Sequence, residues 1–351
     1  MYGLTVRPKL PRWYFMGLAF LWILSFSACG RATPVPTSTP PLQSTATPEP
    51  TRTPTPFPLA SQENPLVLGI VSEMNDPKAA AAADDITAEI ARITNFVITP
   101  KVYSSINSLM TDLQANKVHI VFLQPFTYIW ANQKGLAQVI LLTNHFGVYQ
   151  YGGQFLTNVA SKFTIYYDPA KDQNTADAVT ALKQFDGKRP CWVDPTSAAG
   201  YVVPRGLLAM NGVKVKEGAM TQNYTSVVRA LYITGICDFG VTFATTGDPR
   251  TSTAVTQDLT DVMNRIVVIY KIDPIIPNLN ISLHSSLPKV MREDLTFAMQ
   301  SLVRTEKGKA SLSTATAYEI KDLKPIEDPF YDPLRAVFKQ AGASLDTLLG
   351  K

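Results

Sequence analysis

Leu66-Val67-Leu68-Gly69-Ile70-Val71 is a continuous apolar run of strand length, and Asn75-Asp76-Pro77 follows it at once. The second stretch supplies a helix N-cap and a proline suited to the first helical position. From Lys78 to Thr94, Ile86, Ile90 and Ile93 recur at helical spacing. Phe96 to Val102 reads as a strand, and Ser105 to Asn116 as a helix with Ile106, Leu109, Met110 and Leu113 on one stripe. Val118 to Leu123 is again apolar throughout, Phe126 to Lys134 is helical, and Val139 to Leu142 is extended. Strand and helix alternate, and the strands carry no polar face. That pattern is expected of an α/β unit whose parallel sheet is covered on both sides.

A second unit repeats the pattern. Phe163 to Tyr167, Pro190 to Val193, Cys237 to Phe243 and Ile266 to Ile272 read as strands. Thr175 to Gln184, Ala198 to Asn211 and Tyr224 to Thr234 read as helices, with Asn211-Gly212 a suitable helix stop. Beyond Pro288 the chain reads as mainly helical. Two such lobes joined by extended crossings describe a protein with a cleft.

The chain has 351 residues, 46% of them hydrophobic and 17% charged, with three Cys and three His. These proportions suit a soluble globule with a sizeable core. The net charge of +4 is mild and no Lys/Arg cluster follows the first residues, so no nucleic-acid footprint is present. At the N-terminus Arg7, Lys9 and Arg12 precede an apolar run from Trp13 to Phe26, which ends in Ser27-Ala28-Cys29-Gly30. A basic region, a short apolar core, small residues and then Cys predict a lipoprotein signal peptide over 1–28, with lipidation of Cys29. The mature protein is then expected outside the cell membrane, held at its outer face. Phe26 stands where an aliphatic residue is usual. Residues 31–58 carry nine prolines and eight threonines. Such a stretch cannot bury enough surface to offset its ordering entropy and is expected to be an extended tether over 29–62.

Cys191 and Cys237 both begin apolar runs; in an oxidising compartment they could pair, and as buried thiols they need not. His119, His145 and His284 are isolated, so neither a zinc site nor a nucleophile–base pair is readable. His119, inside an apolar run, reads as a core histidine.

At Asp194-Pro195-Thr196-Ser197-Ala198-Ala199-Gly200-Tyr201-Val202-Val203-Pro204 the chain resembles the phosphate/phosphite/phosphonate-type substrate-binding proteins of ABC importers. Further landmarks agree in order: Leu66 to Val71, Tyr103, Val118 to Tyr128, Leu182 to Lys188, and Cys237 to Gly240. The resemblance implies a two-lobed type II periplasmic-binding-protein fold, each lobe a mainly parallel sheet flanked by helices. It places lobe one over 63–160, lobe two over 161–270, and a return to lobe one with C-terminal helices over 271–351. It also implies a small oxyanion ligand, an ABC permease as partner, a monomer, and no catalysis or cofactor.

The residues themselves support an anion cradle. A loop after Val193 turns into a helix at Ser197, whose first amides lack internal partners. Ser197 could add a hydroxyl or simply cap its helix. Gly200 reads as leaving room for a ligand at the backbone. With Thr196, Ala198 and Ala199 these form the candidate cradle. Tyr103, Gln124, Tyr128 and Asp238 join the candidate site by resemblance, and Tyr224 and Thr225 as donors that could compensate for a missing His. Arg205 and Arg229 are possible clamps, with solvated helix faces the simpler reading. The departures from the family pattern are Ala198 and Ala199 in place of hydroxyls, Asn223-Tyr224-Thr225 in place of a His, and His119 and Val121 in place of Gly and Asp. Each missing donor weakens capture of a charged ligand by about 1–3 kcal/mol. A different small polar solute, or a sensory rather than a transport partner, fits the same residues.

Overall fold

The computed structural model describes residues 57–72 and 76–350. The expected signal peptide, Cys29, Asn75 and the tether up to residue 56 lie outside them. In chain order the strands are β1 (Leu66–Val71), β2 (Ile98–Tyr103), β3 (Ile120–Leu123), β4 (Ala137–Asn144), β5 (Gln150–Asn158), β6 (Tyr167–Asp168), β7 (Gln173–Asn174), β8 (Pro190–Trp192), β9 (Ala219–Met220), β10 (Phe239–Ala244), β11 (Ile266–Lys271), β12 (Ile276–Pro277), β13 (Asn280–His284) and β14 (Asp322–Pro325). The helices are α1 (Pro77–Thr94), α2 (Ile106–Gln114), α3 (Pro125–Gln133), α4 (Ala178–Leu182), α5 (Val203–Met210), α6 (Tyr224–Ile233), α7 (Thr253–Thr256), α8 (Val262–Arg265), α9 (Lys289–Val303), α10 (Glu306–Thr316), α11 (Asp332–Gln340) and α12 (Leu345–Leu348).

Lobe one is a sheet in the order β14-β4-β13-β3-β1-β2, and lobe two one in the order β11-β5-β10-β8-β9. The strands legible as apolar runs make the parallel parts: β1 with β2 and β3, and β8 with β10. The returning strands run the other way. β13 is antiparallel to β3 and β4, and β5 to β10 and β11. Each sheet is therefore mixed, a parallel core with antiparallel strands where the chain crosses between lobes.

Local chemistry sets the helix ends. Asp76 caps α1 by accepting from the Lys78 amide, Pro77 sits in its first turn, and Asn95 closes it at φ 59°. Ser105 caps α2 the same way through the Ser108 amide. The buried stripe of α1, including Ala83, Ile86 and Ile90, joins Leu66, Leu68 and Ile70 of β1 and Leu295 of α9 in the lobe-one core. Each such aliphatic side chain contributes roughly 1.5–3 kcal/mol on burial. Leu59 and Ala60, inside the expected tether, already pack on this core.

Two crossings connect the lobes. One runs from β4 through a tight turn at His145–Val148 into β5. The other runs from β12 through Asn278 into β13. They pair with each other, Ile276 opposite Tyr151 and Pro277 opposite Gln150. Lobe two thus starts near residue 150, ahead of the expected 161, and ends near 277. β5 escapes sequence reading because Gly152-Gly153 interrupts its apolar run. The glycines are needed there: a Cβ on Gly152 would press into the Ile272 carbonyl oxygen, and one on Gly153 would lie 3.1 Å from that of Thr242.

The C-terminal segment touches both lobes. A Cβ on Gly206 of α5 would run into the Val337 backbone of α11. On lobe one, Tyr128 donates to Asp328 at 2.6 Å and Trp130 to Asp346 at 2.7 Å. In lobe two, Cys191 and Cys237 form a disulfide with Cα atoms 5.6 Å apart, which ties β8 to the start of β10.

Candidate functional site

In a parallel sheet, ligands meet the carboxyl ends of the strands. At that end of β8 the chain makes a turn in which Asp194 accepts from the amide and hydroxyl of Thr196, at 2.8 and 2.5 Å. A single π-type turn over Ala198–Val202 then runs directly into α5. Ser197 caps it. Its Oγ accepts from the Gly200 amide at 3.1 Å, and its carbonyl accepts from Tyr201 and Val202 at 3.1 and 3.0 Å. Among the described residues, the Ala198 and Ala199 amides find no acceptor. Two donors at the positive end of a helix therefore lack a partner, one on half-buried Ala198 and one on fully buried Ala199.

Gly200 serves a different purpose from the one its sequence context suggests. A Cβ there would lie 2.5 Å from Val193 Cγ2, and the Val193 amide donates to the Gly200 carbonyl at 3.1 Å. Its missing side chain lets the helix fold back onto its own strand. Room for a ligand is not what it provides.

A second helix start converges on the first. Asn223 caps α6 through the Ser226 amide, and Tyr224 is the first residue of that helix. The Tyr224 hydroxyl lies 3.0 Å from Ser197 Oγ. The Tyr224 ring meets Phe243 edge to face at 4.9 Å and 89°. Thr225 bonds the Asn223 cap at 2.8 Å and so belongs to the cap itself.

Tyr224 also lines a cavity of about 390 Å³ between the lobes. Lobe one and the crossings contribute Gln124, His145, Phe146, Asn278 and Tyr318; lobe two contributes Tyr151, Tyr224, Phe243 and Thr246. No Lys, Arg, Asp or Glu is among these residues. His145 stacks on Tyr318 with centroids 3.9 Å apart, and its Nδ1 lies 2.8 Å from the Glu319 carbonyl oxygen. Burial pushes the Tyr318 phenol up to about 12 and raises those of Tyr151 and Tyr224. All three stay neutral and protonated near neutral pH. A second cavity of about 290 Å³, walled by Ile70, Val71, Ile106, Phe122 and Leu279, adjoins the first at Gln124.

Other sequence candidates sit elsewhere. Tyr103 is 5% exposed and donates to Asp112 at 2.9 Å, packed in lobe one under Lys101. Tyr128 is fully buried, its ring 4.4 Å from that of Tyr331. Neither lines the cleft cavity. Asp238 lies at the wrong end of its strand. It precedes β10, accepts from the Arg189 amide at 2.7 Å, and pins the amino ends of β8 and β10. Arg205 donates to Tyr201 at 2.6 Å, and Arg229 pairs with Asp258 at 2.7 Å, so both sit on helix surfaces. His119 is buried and its Nδ1 accepts from the Val67 amide at 3.0 Å; burial, with His284 nearby, brings its pKa down to about 4. Among the described residues, no group of three or more His, Cys, Asp or Glu could hold a metal.

A bilobal α/β chain with a cleft at its strand carboxyl ends defines a binding protein of the periplasmic type. Residues 68–331 match the family model described as ABC transporter, phosphonate, periplasmic substrate-binding protein, and the chain belongs to that family. It is a solute-binding protein of an ABC importer, which acts outside the cytoplasmic membrane on a small-molecule ligand and with a permease. The family is one of transport, not of enzymes. Comparison with curated protein sequences finds no match. Among solved structures, XAC2383 from Xanthomonas citri is similar at 14% identity over 79% of this chain and 96% of that one. Its TM-scores are 0.56 with chloride and 0.55 with ATP. PhnD1 from Prochlorococcus marinus, in complex with methylphosphonate, is similar at 10% identity over 78% and 97% of the two chains, with a TM-score of 0.49. No helix of the described residues is long and apolar enough to cross a membrane.

Proposed function

We propose that the protein is a monomeric lipoprotein, anchored through Cys29, that captures a small phosphonate-class oxyanion between its lobes and delivers it to the permease. The observation that carries this reading is the pair of amides at Ala198 and Ala199 that no described residue accepts from, next to Ser197, which meets Tyr224 at the wall of the interlobe cavity. Backbone donors at a helix start hold an anion without a cationic side chain. The neutral walls suit a ligand whose charge is met by these dipoles. Gln124 and Tyr224 reach the cavity from opposite lobes, so a ligand touching both favours the closed form by the difference in its affinity for the two states. The Pro/Thr-rich stretch before the domain gives the anchor reach.

A thermal-shift panel of phosphate, phosphite, alkylphosphonates, sulfate and organic acids tests the reading. At least one phosphonate should raise Tm in a concentration-dependent way, because a ligand that binds only the native state stabilises it. A flat response to every anion in the panel would remove the proposal.

A further inference from the structure

The cleft is built for more than a tetrahedral anion. A water molecule claims about 30 Å³ in the liquid. A cavity of 390 Å³ therefore has room for roughly a dozen waters, well beyond a five-atom oxyanion. Its walls carry six rings, from His145, Phe146, Tyr151, Tyr224, Phe243 and Tyr318. The His145–Tyr318 stack, 18° from parallel, presents a flat platform on lobe one. The perpendicular Tyr224–Phe243 pair lines the same cavity from lobe two.

Asn278 adds a specific demand. It is 1% exposed, and its Nδ2 donates to the carbonyls of Val148 at 2.7 Å and Thr143 at 3.3 Å. Those two bonds fix the amide orientation, because only the nitrogen can donate to carbonyls. Its Oδ1 is left buried without a partner, in a residue that lines the cavity. A buried acceptor without a donor is costly, and such an atom in a pocket wall calls for a donor on the ligand.

Phe146 gives a third indication. It is 56% exposed, at φ 47°, in the turn that leads from lobe one toward lobe two. The two-residue turn between His145 and Val148 sets that φ, with Gly147 at φ 91° beside it. The turn places an aromatic ring at the rim of the cavity, 4.3 Å from the His145 ring.

Resting on the anion-capture reading above, we propose that the natural ligand is an organic anion bearing a flat unsaturated ring with an N–H donor. The ring lies between the lobe-one platform and the lobe-two pair, the N–H meets Asn278 Oδ1, and the anionic end faces the amides of Ala198 and Ala199. A ring sandwiched by both lobes couples recognition to closure.

Calorimetry with four probes tests this: methylphosphonate, benzylphosphonate, 4-methylbenzylphosphonate and 4-aminobenzylphosphonate. Benzylphosphonate should bind at least tenfold tighter than methylphosphonate, and the amino compound several-fold tighter than its methyl counterpart. In Phe146→Ala, checked for an unchanged Tm, the benzyl-to-methyl affinity ratio should fall at least fivefold. If methylphosphonate binds as tightly as benzylphosphonate, the ring proposal is overturned while anion capture stands. Equal binding of the amino and methyl compounds overturns the role of Asn278. No binding by any of the four overturns the capture reading and this inference with it.

Discussion

Replacing Ala198 with Asp places a carboxylate at the start of the helix that follows β8, and it should weaken binding without lowering stability. Ala198 is half-buried, its amide lacks a partner among the described residues, and no acidic side chain lines the neighbouring cavity. A bound anion about 4 Å from the new charge is repelled by about 4 kcal/mol at an effective dielectric of 20. Solvent reaches this half-buried position, so about 2–4 kcal/mol is the working range, or roughly 30-fold to 1,000-fold in Kd. The same carboxylate faces the positive end of a helix and should leave stability unchanged or raise it by about 0.3–1 kcal/mol. Ala198→Asn, similar in shape but neutral, should lose far less affinity. Calorimetry with the strongest phosphonate from the thermal-shift panel reads the binding, and urea denaturation reads the stability. Undiminished binding in Ala198→Asp would refute the cradle, whatever the stability result.

Other expectations follow from the fold. The Cys191–Cys237 bridge spans 46 residues, and the chain-entropy relation assigns such a loop about 4 kcal/mol. The double Ala variant should melt well below the wild type, and alkylation of the unreduced, denatured wild type should find neither thiol free; two free thiols would rule the bridge out. His119 is held neutral in the fold, with a pKa of about 4 against about 6.5 unfolded. Between those values the unfolded state binds more protons, so this contribution is complete above about pH 6.5 and declines as pH falls toward 4. His119→Gln should flatten the dependence of Tm on pH in that window; an unaltered slope would assign the acid sensitivity to other groups. Gly152→Ala should cost about 2 kcal/mol or more by urea denaturation, because the new methyl meets the Ile272 carbonyl; a near-neutral result would mean β5 is not held against that backbone.

Sequence pattern reached the parallel halves of both sheets because their strands are covered on two faces and so read as unbroken apolar runs. It lost β5 and β13, which pair antiparallel through crossings and carry Gly152-Gly153 or buried polar residues such as Asn280 and Ser282. The turn after β8 and the helix start at Ser197 were legible because they are local, and the Ser197 cap needs only the Gly200 amide three residues on. The remainder of the cleft was not. His145, Phe146, Asn278 and Tyr318 are isolated residues in sequence, and only the crossing of β4–β5 beside β12–β13 brings them to one cavity. Tyr128 was a candidate lining residue by its resemblance to the family stretch, yet its partner Asp328 is 200 residues away. Asp238 was a candidate by resemblance only, and β10 begins after it, at the end away from the cleft.

The most direct measurement is a crystal structure with the strongest phosphonate bound. The account predicts its oxygens 2.7–3.2 Å from the Ala198 and Ala199 amide nitrogens, with its organic part in the cavity between His145–Tyr318 and Tyr224–Phe243. A ligand bound elsewhere, with those amides still unpaired or turned to solvent, would contradict it.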